Sequence, residues 1–167
     1  MPTRRQLIQE GEKAMKTIVE QILSNKILMT GTIAWLISQV LKIILYTIIN
    51  KEFVLERLFG DGGMPSSHSA TVTSVAITSG IVCGWESGTF AVSAILAIIV
   101  MHDAMGVRLE TGKQAKAINE IIEHLLNADA VDLTPEKVLK EFVGHTPLQV
   151  AAGVLLGIAT ALVMNIK

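Results

Sequence analysis

Eleven residues near the middle of the chain, GDGGMPSSHSA from Gly60 to Ala70, bring three glycines, a proline, three serines and a histidine together ahead of an apolar run. Glycines at 60, 62 and 63 let backbone come close to a ligand, and a helix beginning at Pro65 presents N–H groups and the positive end of its dipole to an anion. Gly63, Ser66 and Ser67 would then be phosphate-binding groups, and His68 adds a side chain that gives or takes a proton near neutral pH. The plainer reading is a capped helix start, and other residues decide between the two. Lys42 lies inside the apolar stretch Ile27–Ile49, about 10 Å from its end at 1.5 Å per residue. A lysine at that depth must face a partner or a polar cavity, or else snorkel to the surface. Arg57 follows in the next loop, where it is either a phosphate ligand or a solvated charge. HDAMGVR carries His102, Asp103 and Arg108, with Lys113 five residues beyond, and GHTPLQ carries His145 and Gln149. Asp103 and Arg108 read equally well as an internal ion pair, and His102 as a core histidine.

These residues need elements to hold them. The chain has 167 residues, 50% hydrophobic and only 17% charged, with a mean hydropathy of +0.51. That composition belongs to membrane proteins rather than to ordinary soluble domains. A bilayer core of about 30 Å takes about 20 mostly apolar residues as a helix. Four stretches qualify: Ile27–Ile49, Met64 to about Trp85, Thr89 to about Met105, and Pro147–Ile166. The second is rich in Ser and Thr and is expected inside the bundle. The fourth carries Gly153 and Gly157, a spacing that lets helices approach closely.

Two polar segments complete the chain. Arg4–Ser24 places Met15, Ile18, Val19, Ile22 and Leu23 on one face, an amphipathic helix lying on the membrane or on the bundle. Leu109–Gly144 repeats Ile118, Ile121, Ile122 and Leu125 at helical spacing, and Thr134–Pro135 there reads as a helix start, as Thr146–Pro147 does for the last span. The fold expected is all-α: a single membrane domain, 1–167, of about four transmembrane helices, an N-terminal amphipathic helix and a helical polar segment before the last span. The N-terminus lacks the apolar core of a signal peptide. One cysteine, Cys83, makes an intrachain disulfide impossible, and a net charge of −1 argues against nucleic acid as a partner.

Four spans in series put alternate loops on one side. The end of the first span, the PSSH segment, the HDAMGVR segment and the GHTP segment therefore share one membrane face, which gathers Lys42, Arg57, His68, Asp103, Arg108 and His145. A phosphate site explains that gathering better than a capped helix alone.

GGMPSSHSA, DAMGVRLETGKQA and GHTPLQVAAG, in that order, resemble the divergent branch of the type 2 phosphatidic acid phosphatase superfamily, relatives of acid phosphatases and vanadium-dependent haloperoxidases. The superfamily's motifs are K-x6-R-P, P-S-G-H and S-R-x5-H-x3-D. The resemblance implies a metal-independent, cofactor-free reaction in which His145 is the nucleophile, His68 the general acid, and Lys42 and the serines hold phosphate. The departures are specific. Ile49 stands where the first arginine falls, Ser67 where the motif has glycine, Leu139 where the second arginine falls and Gln149 where the aspartate falls. Arg57, Arg108 and Lys113 are the available cations, with Lys140 a further one, and Asp103 is the available carboxylate. Gln149, one turn after His145, can accept from the imidazole and fix its tautomer, without the charge a carboxylate brings.

The expected function is a membrane lipid phosphate phosphatase or pyrophosphatase. The alternative is non-catalytic binding or translocation of a lipid phosphate, and a halogenating enzyme is the weakest reading. The partners expected are a lipid phosphate or polyprenyl phosphate substrate and membrane lipid, in the cell membrane, with homo-oligomerisation left open.

Overall fold

The computed structural model describes residues 4–51, 63–127, 139 and 144–166, with only the backbone for 4–12 and 125–127. Six helices make up the described fold: α1 (Arg4–Ser24), α2 (Lys26–Asn50), α3 (Ser67–Cys83), α4 (Gly88–Met105), α5 (Val107–Asn127) and α6 (Pro147–Asn165). No strand occurs among the described residues. The Thr134–Pro135 helix start lies outside them.

Each break between helices has a local cause. Asn25 stops α1 and caps α2, its Oδ1 accepting from the N–H groups of Ile27 and Leu28 at 3.1 Å each. Ser87 caps α4 by accepting from Phe90 N–H, in a tight turn where Gly84 holds a φ of 94°. Thr146 caps α6 and Pro147 occupies its first turn, as the Thr-Pro pair led us to expect. One start differs. α3 begins at Ser67 rather than at Pro65, because Ser66 adopts extended geometry and accepts from Ser69 N–H as the cap, so proline lies outside the helix.

The bundle is assembled around α3, which packs against α2, α4 and α6. α6 runs parallel to α3. Ser66 N–H donates to Gln149 O at 3.0 Å, and at the far end Asn165 Nδ2 donates to Thr78 Oγ1 at 3.3 Å. Gly153 and Gly157 make this closeness possible: a Cβ there would stand 2.4 Å from Ser66 O and 2.5 Å from Ala70 O. α2 runs antiparallel to α3, and a Cβ at Gly31 would stand 2.6 Å from Val75 Cγ2.

Polarity runs opposite to that of a water-soluble protein. The buried polar residues include Thr30, Ser38, Gln39, Ser69, Thr73, Ser74, Thr78 and Ser79, and Val150 is the one large aliphatic side chain among the buried hydrophobic residues described. Ile44, Ile48, Val92, Ile95, Ile98, Leu155 and Val163 all face outward. Such a surface is stable in hydrocarbon and would aggregate in water. α2, α6 and the segment containing α4 are long and apolar enough to cross a membrane. α3, at 17 residues, is shorter and Ser/Thr-rich, yet it lies beside α6 from the first turn of that helix to its last. The hydroxyls are accommodated locally, as where Thr71 Oγ1 donates to Ser67 O and Ser74 Oγ to Thr71 O, both at 2.8 Å. The chain is a helical membrane bundle.

The apolar side chains of α1, from Met15 through Leu23, are exposed. Their exposure shows that this face is not laid onto the bundle.

Candidate active site

Three helix ends meet at one end of the bundle. α2 brings Lys42, which is buried and whose Nζ donates to Ser67 Oγ at 3.3 Å. The lysine therefore points into the bundle rather than snorkelling outward. Gln39, one turn earlier, is also buried. Gly63, at a φ of 96°, lies against the lysine stem, since a Cβ there would be 3.8 Å from Lys42 Cγ.

α3 brings its N-terminal turn. Ser66 and Ser67 are buried, and Ser69 Oγ donates to Ser66 Oγ at 3.0 Å. Ser66 is thus mainly a structural cap, while Ser67 faces the lysine. His68 is half-buried. Its ring centroid lies 6.1 Å from that of His145, with the planes tilted by 59°.

α6 brings His145, which is 1% exposed. Three features hold it. Its N–H donates to Ala104 O at 3.0 Å, tying it to the last turn of α4. Gly144 precedes it at a φ of 88°, and a Cβ there would stand 2.4 Å from Leu109 N, so only glycine lets the segment rest against the start of α5. The third is Gln149. Its Oε1 accepts from Thr146 N–H at 3.0 Å and lies 3.3 Å from His145 Nδ1. A backbone N–H requires an oxygen opposite it, which fixes the orientation of the amide. The same oxygen can bond Nδ1 only if Nδ1 carries the proton. In the neutral ring Nε2 is then the nitrogen with the lone pair.

Lys42, Gly63, Ser66, Ser67, His68, His145 and Gln149 are therefore brought together. Asp103 and Arg108 lie nearby through Ala104 and Leu109, but their side chains pair with each other: Arg108 Nε stands 2.9 Å from Asp103 Oδ2, both roughly half exposed. Lys113 pairs with Glu110 at 2.7 Å on the exposed face of α5. Arg57 and Lys140 lie outside the described residues. His102 is exposed, so it is not a core histidine, and His124 is exposed as well. The sequence reading missed Ala104 and Gly144, neither of which has reactive chemistry of its own. The glycine directly before His145 was the available signal for a close backbone approach.

An α-helical membrane bundle with a lysine, a serine-capped helix start and two histidines at one end is the class of protein that this geometry defines. The chain belongs to the Divergent PAP2 family, whose model matches residues 23–160. It is 37% identical over 152 residues to the uncharacterized membrane protein YuiD of Bacillus subtilis (strain 168), covering 86% of this chain and 96% of that one. No solved structure matches the chain.

Proposed function

We propose that this protein hydrolyses a phosphomonoester or diphosphate carried on a membrane lipid, such as phosphatidic acid, phosphatidylglycerophosphate or a polyprenyl phosphate, in the cell membrane. The observation that supports the reading is the place of Gln149 Oε1, which accepts from Thr146 N–H and stands 3.3 Å from His145 Nδ1, an arrangement that in the neutral ring leaves Nε2 as the nucleophile.

The chemistry follows from the positions. His145 Nε2 attacks phosphorus and an N–P bond forms as the bond to the lipid oxygen breaks. His68, whose ring centroid lies 6.1 Å from that of His145, gives its proton to that oxygen. Water then attacks phosphorus, His68 takes a proton back, and the N–P bond breaks to release phosphate. Lys42, Ser67 and the N–H groups at the head of α3 neutralise the phosphoryl oxygens, with Arg57, Arg108 and Lys113 as further cations. Asp103 keeps Arg108 oriented until a phosphate competes for it.

Two observations favour the second reading, in which the protein binds or moves a lipid phosphate without cleaving it. Gln149 is neutral, and Arg108 is already paired. Rapid acid-free quenching of the purified protein mixed with radiolabelled phosphatidic acid separates the two. An acid-labile, alkali-stable label on the protein, absent from His145→Ala, is expected; binding without any such label would replace hydrolysis by the second reading.

A further inference from the structure

Below the site, α2 and α3 separate on their outer side into a cavity of about 210 Å³ lined by Leu28, Gly31, Thr32, Trp35, Thr71 and Val75. Its register ties it to the site. Thr71 is one turn from Ser67 and bonded to its carbonyl, and Trp35 is two turns from Lys42, about 10 Å along the helix axis. Leu28 lies about 21 Å from Lys42 by the same measure. Along α2 the groove therefore lies between about 10 Å and about 21 Å from Lys42, on the side of the pair that faces the bilayer interior. Gly31, whose Cβ would touch Val75, keeps its two walls together. It has little polarity to offer, because Thr32 and Thr71 spend their hydroxyls on Leu28 O and Ser67 O. Leu28, Thr32 and Trp35 are exposed on the face that meets lipid.

We infer that this groove holds one hydrocarbon chain of the lipid whose phosphate is bound at Lys42 and Ser67, an inference that rests on the lipid-phosphate reading of the site. The occupant is a chain and not another helix, because a space of about 210 Å³ is too small for a helix and Leu28, Thr32 and Trp35 open it to the lipid side. Chain selectivity here comes from packing and shape, since lipid tails gain no hydrophobic energy on moving from bilayer to protein.

The chain contains two tryptophans, so Trp85→Phe leaves Trp35 as a reporter inside the groove. In nanodiscs of phosphatidylcholine, phosphatidic acid brominated at mid-chain is titrated at low mole fraction, with brominated phosphatidylcholine as the comparison, and retention of radiolabelled phosphatidic acid on the protein washed in detergent is measured in parallel. The expected result is saturable quenching of Trp35 by the phosphatidic acid beyond that by phosphatidylcholine, lost in Lys42→Ala and in Thr71→Leu. Thr32→Phe, on the lipid-exposed side of α2, fills the same groove without touching the core and is expected to act likewise. Retained phosphatidic acid with no excess quenching overturns the groove and leaves the head-group reading standing. No retention at all removes the head-group reading, and the groove assignment with it.

Discussion

A single oxygen, Gln149 Oε1, lies 3.0 Å from Thr146 N and 3.3 Å from His145 Nδ1, so the residue that closes the cap of α6 also sets the proton position of the buried histidine. Glutamine at the third helical position completes a capping box with Thr146. Glutamate completes the same box and adds a charge opposite the imidazole. Gln149→Glu is expected to keep the fold and raise turnover about tenfold, an effect of ~1.4 kcal/mol on the barrier. Gln149→Asp is a methylene short. It should gain less and lose about 1 kcal/mol of cap stability, seen as a lower melting temperature in detergent beside a smaller rate gain.

Gly144→Ala forces a Cβ against the Leu109 backbone at a φ of 88°. The expected loss is about 1–3 kcal/mol of stability, with His145 drawn away from Ala104 O. Thermal unfolding and phosphate binding should decline together. Gly88→Ala, where nothing lies within 4 Å, is the control and should leave both unchanged.

Gly157→Ala introduces a Cβ 2.5 Å from Ala70 O, which α6 can relieve only by moving off α3. Overpacking of this kind costs about 1–3 kcal/mol. Because Ser66 N–H is held by Gln149 O across the same interface, the disturbance should reach the site: the expected signature is reduced binding of lipid phosphate as well as a lower unfolding midpoint.

Much of this architecture is legible in the sequence. The apolar runs place α2, α4 and α6 within a residue or two, and Thr146–Pro147 marks the head of α6, because span length and cap chemistry are local properties. Lys42 stands out for the same reason, as a charge where hydrocarbon would otherwise be. The start of α3 is misjudged because two local rules compete at Pro65 and Ser66, and the serine cap prevails. The Asp103–Arg108 pair and the closeness of Gly144 to Leu109 depend on the break at Gly106 between α4 and α5, and no periodicity encodes that. The hydroxyls of α3 are visible in the sequence; which of them serve the helix and which face Lys42 is decided only by packing.

Arg108 and Asp103 are both about half exposed, so their pairing contributes about 0–1 kcal/mol. Asp103→Ala should leave stability nearly unchanged and free Arg108 for phosphate, lowering KM, whereas Arg108→Ala should raise KM. An unchanged KM in both variants would mark the pair as a surface contact without a place in the site.

A nucleophilic role for His145 in lipid-phosphate hydrolysis can be read from product release. Phosphate release by the purified protein from phosphatidic acid, phosphatidylglycerophosphate and polyprenyl phosphates and diphosphates, measured beside His145→Ala and Gln149→Glu, tests it most directly. Slow release by the natural protein on at least one of these lipids is expected, with faster release by Gln149→Glu and none by His145→Ala, which still binds the lipid. Release that persists in His145→Ala, or no release from any of the three proteins on any of these lipids, would contradict it.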